Sequence, residues 1–121
     1  MSDYQMGLVE SKFADMIWEK EPISSTELAK ISEAAFQWKK STTYTVLKRL
    51  CEKGIFQNQK GTVTSLISRQ EFYALRSEKF VDETFGGSLP AFLAAFTSKK
   101  KLTASEIMHL REMIENFEEE C

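Results

Sequence analysis

Apolar and polar positions along this chain repeat with two different periods. From Leu8 to Lys20 the period is helical: Met6, Val9, Phe13, Met16 and Ile17 keep one stripe and Trp18 widens it, which predicts a first helix. "EKEPIS" ends that helix, because Pro22 disfavours the helical region for Glu21. Ser24 followed three residues later by Glu27 makes a capping box, and a short second helix is expected to about Ser32 with Leu28 and Ile31 inward. "SEAAFQW" leads into "QWKKSTTYTVLKRLCEKG", where Thr43, Val46, Leu47, Leu50 and Cys51 form one stripe of a third helix over Lys40 to Lys53. Gly54 supplies the left-handed position that closes it.

After Gly54 the period shortens. "IFQNQ" and "TVTSLIS" read as two strands joined at "KG", with Gly61 as the turn residue. The helical period returns in "RQEFYALRSEKFVDETF", breaks at "GGS", and resumes in the almost wholly apolar "SLPAFLAAF", where Pro90 fits the first turn. "TASEIMHLREMIENFEEE" is a last helix opened by a Thr103–Glu106 capping box, with Ile107, Leu110, Met113, Ile114 and Phe117 as its stripe. The predicted fold is mainly α with a small β-hairpin. Residues 1–68 form a winged helix-turn-helix, and residues 69–121 a helical region of three helices. Phe80, Phe85, Leu89, Phe92, Leu93 and Phe96, with Ile107, Leu110 and Ile114, are too apolar for a solvated arm and are expected to face a partner surface.

Composition narrows the class. A chain of 121 residues with 42% hydrophobic and 28% charged residues is an ordinary globular one. It holds no apolar run of the ~20 residues that span a bilayer. The opening "MSDYQMGLVE" has no apolar leader core, so a cytoplasmic location is expected. Cys51 reads as a small core residue and Cys121 as an exposed free thiol; neither has metal-ligand spacing. There is no phosphate loop, zinc pattern or nucleophile elbow, and the single histidine, His109, reads as a packing or surface residue. No enzymatic activity and no cofactor or metal are expected.

The net charge of -2 conceals a gradient. Between Phe36 and Lys60 stand Lys39, Lys40, Lys48, Arg49, Lys53 and Lys60 against Glu52 alone. The last helix carries Glu106, Glu112, Glu115, Glu118, Glu119 and Glu120 against Arg111. In a helix-turn-helix the second helix of the pair enters the major groove, and here that is the third helix. Its outer face offers Ser41, Thr42, Tyr44 and Thr45 to base edges. Lys39, Lys40, Lys48 and Arg49 flank them as phosphate partners. Ser25 and Thr26 at the preceding helix start, and Lys60 and Thr62 at the hairpin tip, add further backbone contacts. The competing expectation is a winged-helix module that binds a protein and no DNA. The lack of any acid before Glu52 favours DNA.

"ADMIWEKEPISSTEL", "STTYTVLKRLCEKGIF", "FGGSLPAFLAAF" and "LTASEIMHLREMIENF", in this order and spacing, resemble the penicillinase-repressor (BlaI/MecI/CopY) family of bacterial winged-helix regulators. Thr42, Thr45, Leu47, Arg49, Leu50, Lys53 and Gly54 fill the family's recognition-helix pattern. The resemblance covers about Leu8 to Phe117. It implies a homodimer held by the C-terminal helices, a dyad-symmetric double-stranded DNA operator, and a repressor function. In antibiotic-responsive members it also implies a membrane sensor-protease and a cut within the short apolar helix, which by position is Ala95–Phe96. The family usually has Asn where this chain has Ala95. Copper-responsive members end in paired Cys-x-Cys motifs where this chain has Cys121 alone, and the wing has Thr62 where the family often has Arg.

Overall fold

The computed structural model describes residues 6–120, with side chains through Phe117; Cys121 lies outside the described residues. The described residues form α1 (Leu8–Lys20), β1 (Ile23–Ser24), α2 (Ser25–Phe36), α3 (Lys40–Glu52), β2 (Phe56–Gln59), β3 (Thr62–Ser65), α4 (Arg69–Phe85), α5 (Leu89–Thr97) and α6 (Ala104–Glu120). This is a winged helix-turn-helix followed by a helical C-terminal region. The chain separates into two compact units, Met1–Lys79 and Phe80–Cys121, so α4 begins in the first and ends in the second.

The caps explain most boundaries. Ser24 Oγ accepts the Glu27 N–H at 3.0 Å and starts α2. At the end of α3, Ile55 N–H donates to the Leu50 carbonyl and Gly54 N–H to that of Cys51, with Gly54 at φ 82°. That pair of bonds around one left-handed residue is a Schellman closure, and it delivers Ile55 straight into the core. Thr103 and Glu106 cap α6 reciprocally: Thr103 N–H donates to Glu106 Oε1 at 2.9 Å, and Glu106 N–H to Thr103 Oγ1 at 3.1 Å. Hydrogen bonding from the Thr103 backbone N–H, with a further contribution from the Thr103 hydroxyl, holds the Glu106 carboxyl below its ordinary range.

Three expectations need correction. α2 does not stop near Ser32; it runs one turn further to Phe36 and closes on Gln37 in the left-handed region, φ 58°. Ser32 is buried and Phe36 packs on Trp38 at 4.9 Å, so packing extends the helix beyond what its short polar run suggests. The sheet has three strands, not two, in the order β1-β3-β2. The two residues of β1 pair antiparallel with β3, Ile23 opposite Val63 and Ser24 opposite Thr62. On α1 the inward stripe is Phe13, Ala14 and Ile17, while Val9 faces outward. The helix is rotated so that Glu10, one position further on, turns toward α3.

The core of the first unit is Phe13, Ile17, Leu28, Leu47, Leu50, Ile55, Phe56, Val63 and Phe72, all buried. Trp18 joins its parts. The ring stands 5.1 Å from Phe56 of β2 and 5.3 Å from Phe72 of α4, and Nε1 donates to the Ile67 carbonyl at 3.1 Å. Glu21 fastens the far end of β3, accepting from Ser65 N–H and Oγ at 2.8 Å each.

The part-buried Trp18 and the buried Thr43 make opposite predictions for stability. Trp18→Phe removes the indole donor and some packing, and is expected to cost about 1–3 kcal/mol in chemical denaturation followed by circular dichroism. Thr43 is fully buried with no partner for Oγ1. Thr43→Val keeps its shape and is expected to be neutral or to stabilise by up to about 1 kcal/mol. A loss above that from Thr43→Val shows that the hydroxyl has a partner.

Candidate nucleic-acid interface

α3 separates its residues by depth. Thr43, Val46, Leu47 and Leu50 point into the core, Ser41, Thr45, Lys48 and Arg49 are exposed, and Thr42 and Tyr44 lie half-buried between them. The Thr45 hydroxyl donates to the Ser41 carbonyl at 2.9 Å, one turn back. Its proton is thereby used inside the helix, and what faces outward is an acceptor lone pair and a methyl group. Lys40 Nζ stands 5.8 Å above the Tyr44 ring, a cation–π contact that gathers charge over the start of the helix. α3 has no side-chain cap on Lys39 and no acid in its first turn, so the positive end of its dipole is left uncompensated.

The wing meets α2 at its tip. Lys60 and Gly61 take φ 53° and 88°, the two left-handed positions of a tight hairpin turn. Asn58 Oδ1 accepts the Gly61 N–H at 3.0 Å, and the Gly61 carbonyl accepts the Ser25 N–H at 2.7 Å. Ser25, Lys60 and Thr62 are thus brought to one corner, where a surface recess of about 610 Å³ is lined by Gln59, Lys60, Thr62 and Thr64. The Ser25 amide is spent on the wing, so its hydroxyl and the exposed Thr26 are what this corner offers to an anion.

The cations differ in availability. Arg49 Nη1 lies 3.0 Å from Glu10 Oε1 on α1, with side chains 50% and 22% exposed, so Arg49 is turned toward α1. Lys39, Lys40, Lys48 and Lys60 are exposed and form no ion pair among the described residues. Lys39 and Lys40 flank a recess of about 490 Å³ with Glu33, Gln37 and Trp38 at the turn between α2 and α3. Cys51 is half-buried, and burial with the adjacent Glu52 carboxylate pushes its thiol pKa up.

Sequence pattern alone does not single out Glu10, Trp38 or Asn58. Asn three residues before Gly in "NQKG" is the signal for the last, because its short amide can bond back into the turn. Nothing in the sequence signals the reach of Glu10 to Arg49, 39 positions away.

In the second unit Phe80, Phe85 and Phe92 form a triangle of edge-to-face rings at 5.7–6.1 Å, and Phe96 adds a fourth at 6.2 Å from Phe92. Leu89, Phe96, Ile107 and Ile114 are exposed, Leu93 and Leu110 half-exposed, and no described residue of this unit is buried. Ala95 and Phe96 lie in the second half of α5. The Ala95 carbonyl accepts the Ser98 hydroxyl at 2.7 Å. His109 is exposed on α6. Among the described residues, no helix is long and apolar enough to cross a membrane, and no cluster of His, Cys, Asp and Glu could hold a metal ion.

Residues 6–116 match the family model for the penicillinase repressor. The methicillin resistance regulatory protein MecI of Staphylococcus aureus (strain Mu50 / ATCC 700699) is 24% identical over 115 residues, covering 92% of this chain and 94% of that protein. The penicillinase repressor of Bacillus licheniformis is 26% identical over 115 residues, covering 92% and 90%. MecI of Mammaliicoccus sciuri is 23% identical over the same length.

Lys60 occupies a left-handed position that Asn or Gly would fill at lower cost. Lys60→Asn is therefore expected to raise the melting free energy by up to about 1 kcal/mol while removing a charge from the wing tip. Thermal unfolding checks it; a destabilised Lys60→Asn protein shows that the lysine stem packs on the wing.

Proposed function

The chain belongs to the penicillinase repressor family, and we propose on that footing that it is a homodimeric, sequence-specific DNA-binding repressor of transcription acting on a dyad-symmetric operator. The observation that carries the reading is the outer face of α3: short hydroxyl side chains flanked by lysines that form no ion pair among the described residues, with no acid until Glu52. Ser41, Thr42, Tyr44 and Thr45 read base edges in the major groove. Lys39, Lys40, Lys48 and Lys60, with Ser25, Thr26 and Thr62, hold phosphates. Arg49 joins them by turning away from Glu10, a half-exposed ion pair that costs little to break. The reaction is binding and release in the cytoplasm, with no catalytic step and no cofactor.

The exposed apolar faces of the second unit support the dimer. Phe80, Leu89, Phe96, Ile107 and Ile114 are exposed and Phe85, Phe92, Leu93 and Leu110 only half-covered within one chain, and together they are the surface a second copy would bury. Two recognition helices joined this way bind half-sites one or more helical turns apart, on the order of 10 bp per turn. Cutting at Ala95–Phe96 by a membrane sensor-protease would separate α6 from the DNA-binding half and remove the avidity of linked half-sites. The Ser98 hydroxyl bond on the Ala95 carbonyl means that the last turn of α5 must open first.

Binding is tested on the tightest duplex recovered from a random-sequence selection, at two salt concentrations. Lys48→Ala is expected to weaken binding to all sequences alike and to lower the salt slope by about 1. Thr45→Ala is expected to relax preference at one or two base pairs, each by roughly 1–3 kcal/mol. Duplex binding that ignores salt points instead to a protein-binding winged helix. Ile114→Glu is expected to convert the dimer to monomer in sedimentation equilibrium and to weaken the operator complex. A wild-type monomer at micromolar concentration overturns the dimeric reading.

A further inference from the structure

Between α3 and the wing lies a cleft of about 200 Å³ lined by Tyr44, Leu47, Lys48, Cys51 and Asn58. The four α3 residues stand at i, i+3, i+4 and i+7 and so form one stripe facing β2. Leu47 is buried and Cys51 half-buried, which gives the cleft an apolar floor. The Cys51 thiol stays protonated at neutral pH, because burial and Glu52 both oppose the thiolate.

The polar groups at its rim are donors. Lys48 is an exposed ammonium with no ion pair among the described residues. Asn58 spends its Oδ1 on the Gly61 N–H at 3.0 Å, which fixes the amide and leaves the two Nδ2 protons with no acceptor among the described residues. A base edge in the major groove offers donors and acceptors in a mixed pattern. A phosphodiester offers acceptors only, carries one negative charge, and is attached to an apolar sugar.

We propose that this cleft seats one phosphodiester of bound duplex DNA, with Lys48 supplying the charge, Asn58 Nδ2 a directed donor, and the half-buried Cys51 with Leu47 beneath it the apolar floor under the sugar. This rests on the DNA-binding reading and gives a role to Asn58, a neutral residue that charge and helix pattern pass over. Because Asn58 is held by the wing turn, the cleft also ties the position of the wing to the phosphate that Lys48 binds. Affinity therefore depends on a neutral amide on β2 as well as on the lysines of α3.

Asn58→Asp separates this role from the turn. The aspartate keeps an acceptor for the Gly61 N–H but presents a negative oxygen where the donors were. Using the full chain and the selected duplex, it is expected to weaken binding on the order of tenfold or more, equally on specific and unrelated duplexes. Its melting temperature is expected to match the wild type. A scan of single methylphosphonate substitutions locates the contact: one position per half-site weakens the wild-type complex, and the same position no longer weakens the Asn58→Asp complex. Wild-type affinity in the Asp variant overturns the assignment. So does a loss confined to the preference at one base pair, which makes Asn58 a base reader, or a scan in which no position couples to Asn58. A wild-type protein that binds no duplex at all defeats the DNA-binding reading itself, an outcome distinct from losing the cleft alone.

Discussion

The Trp18 indole sits where three elements of the first unit must agree. Its ring packs on Phe56 of the wing and on Phe72 of α4, its N–H is accepted by Ile67 between them, and Arg69 lies 5.9 Å over its face. A two-stranded ribbon has little independent stability in water, so the wing needs such an anchor. The other anchors are the short pairing of β1 with β3, the Ser25 bond to Gly61 and the Glu21 carboxylate on Ser65. Together they fix the hairpin at its base, along one edge and at its tip. The recognition surface inherits its geometry from these contacts, since Lys60, Thr62 and Asn58 are placed by the wing and Ser41 to Lys48 by α3.

What was legible in the sequence is what depends on local rules. The extents of α1, α3 and α6 follow from a proline, a glycine and a capping box, each of which acts within one turn of the chain. The six helices and the hairpin followed from periodicity for the same reason. The misplaced features are decided by contacts distant in sequence. β1 is two residues long, too short for any alternation to register, and exists because Val63 and Thr62 stand opposite it. The last turn of α2 is held by Phe36 against Trp38, which no capping signal announces. The rotation of α1 that exposes Val9 became visible only with α3 in place, because Glu10 is there opposite Arg49.

The candidate site was readable in composition and less so in availability. Counting cations between Phe36 and Lys60 treats Arg49 and Lys48 as equals. The structure distinguishes them: Arg49 is turned toward α1 by a carboxylate, while Lys48 stands at the edge of a cleft with no ion pair among the described residues. A half-exposed ion pair of this kind contributes little to stability, about 0–1 kcal/mol. Its larger effect is directional, since it turns the guanidinium toward α1. Thr45 shows the same limit for hydrogen bonding. Its hydroxyl proton goes to Ser41, so a residue that composition presents as a donor faces outward as an acceptor.

In the proposed dimeric repressor the two units divide the physics between them. Lysines on an exposed face bind phosphate by releasing counterions, a contribution that falls steeply with salt and carries no sequence information. A few short side chains on a single helix add discrimination at a few base pairs. One such unit alone is therefore a weak and salt-sensitive binder. Joining two copies converts the second contact into an intramolecular event, and the gain, typically 10²–10⁴-fold, needs no new DNA contact. For the proposed dimer, the exposed and half-exposed phenylalanines and leucines of the second unit are what that linkage would use: apolar area left open by one chain and available to another. The same arrangement locates the control point. In the proposed dimer, anything that weakens the apolar contact would reduce DNA affinity by the avidity factor without touching α3, so a signal acting on the second unit would release the operator with α3 intact.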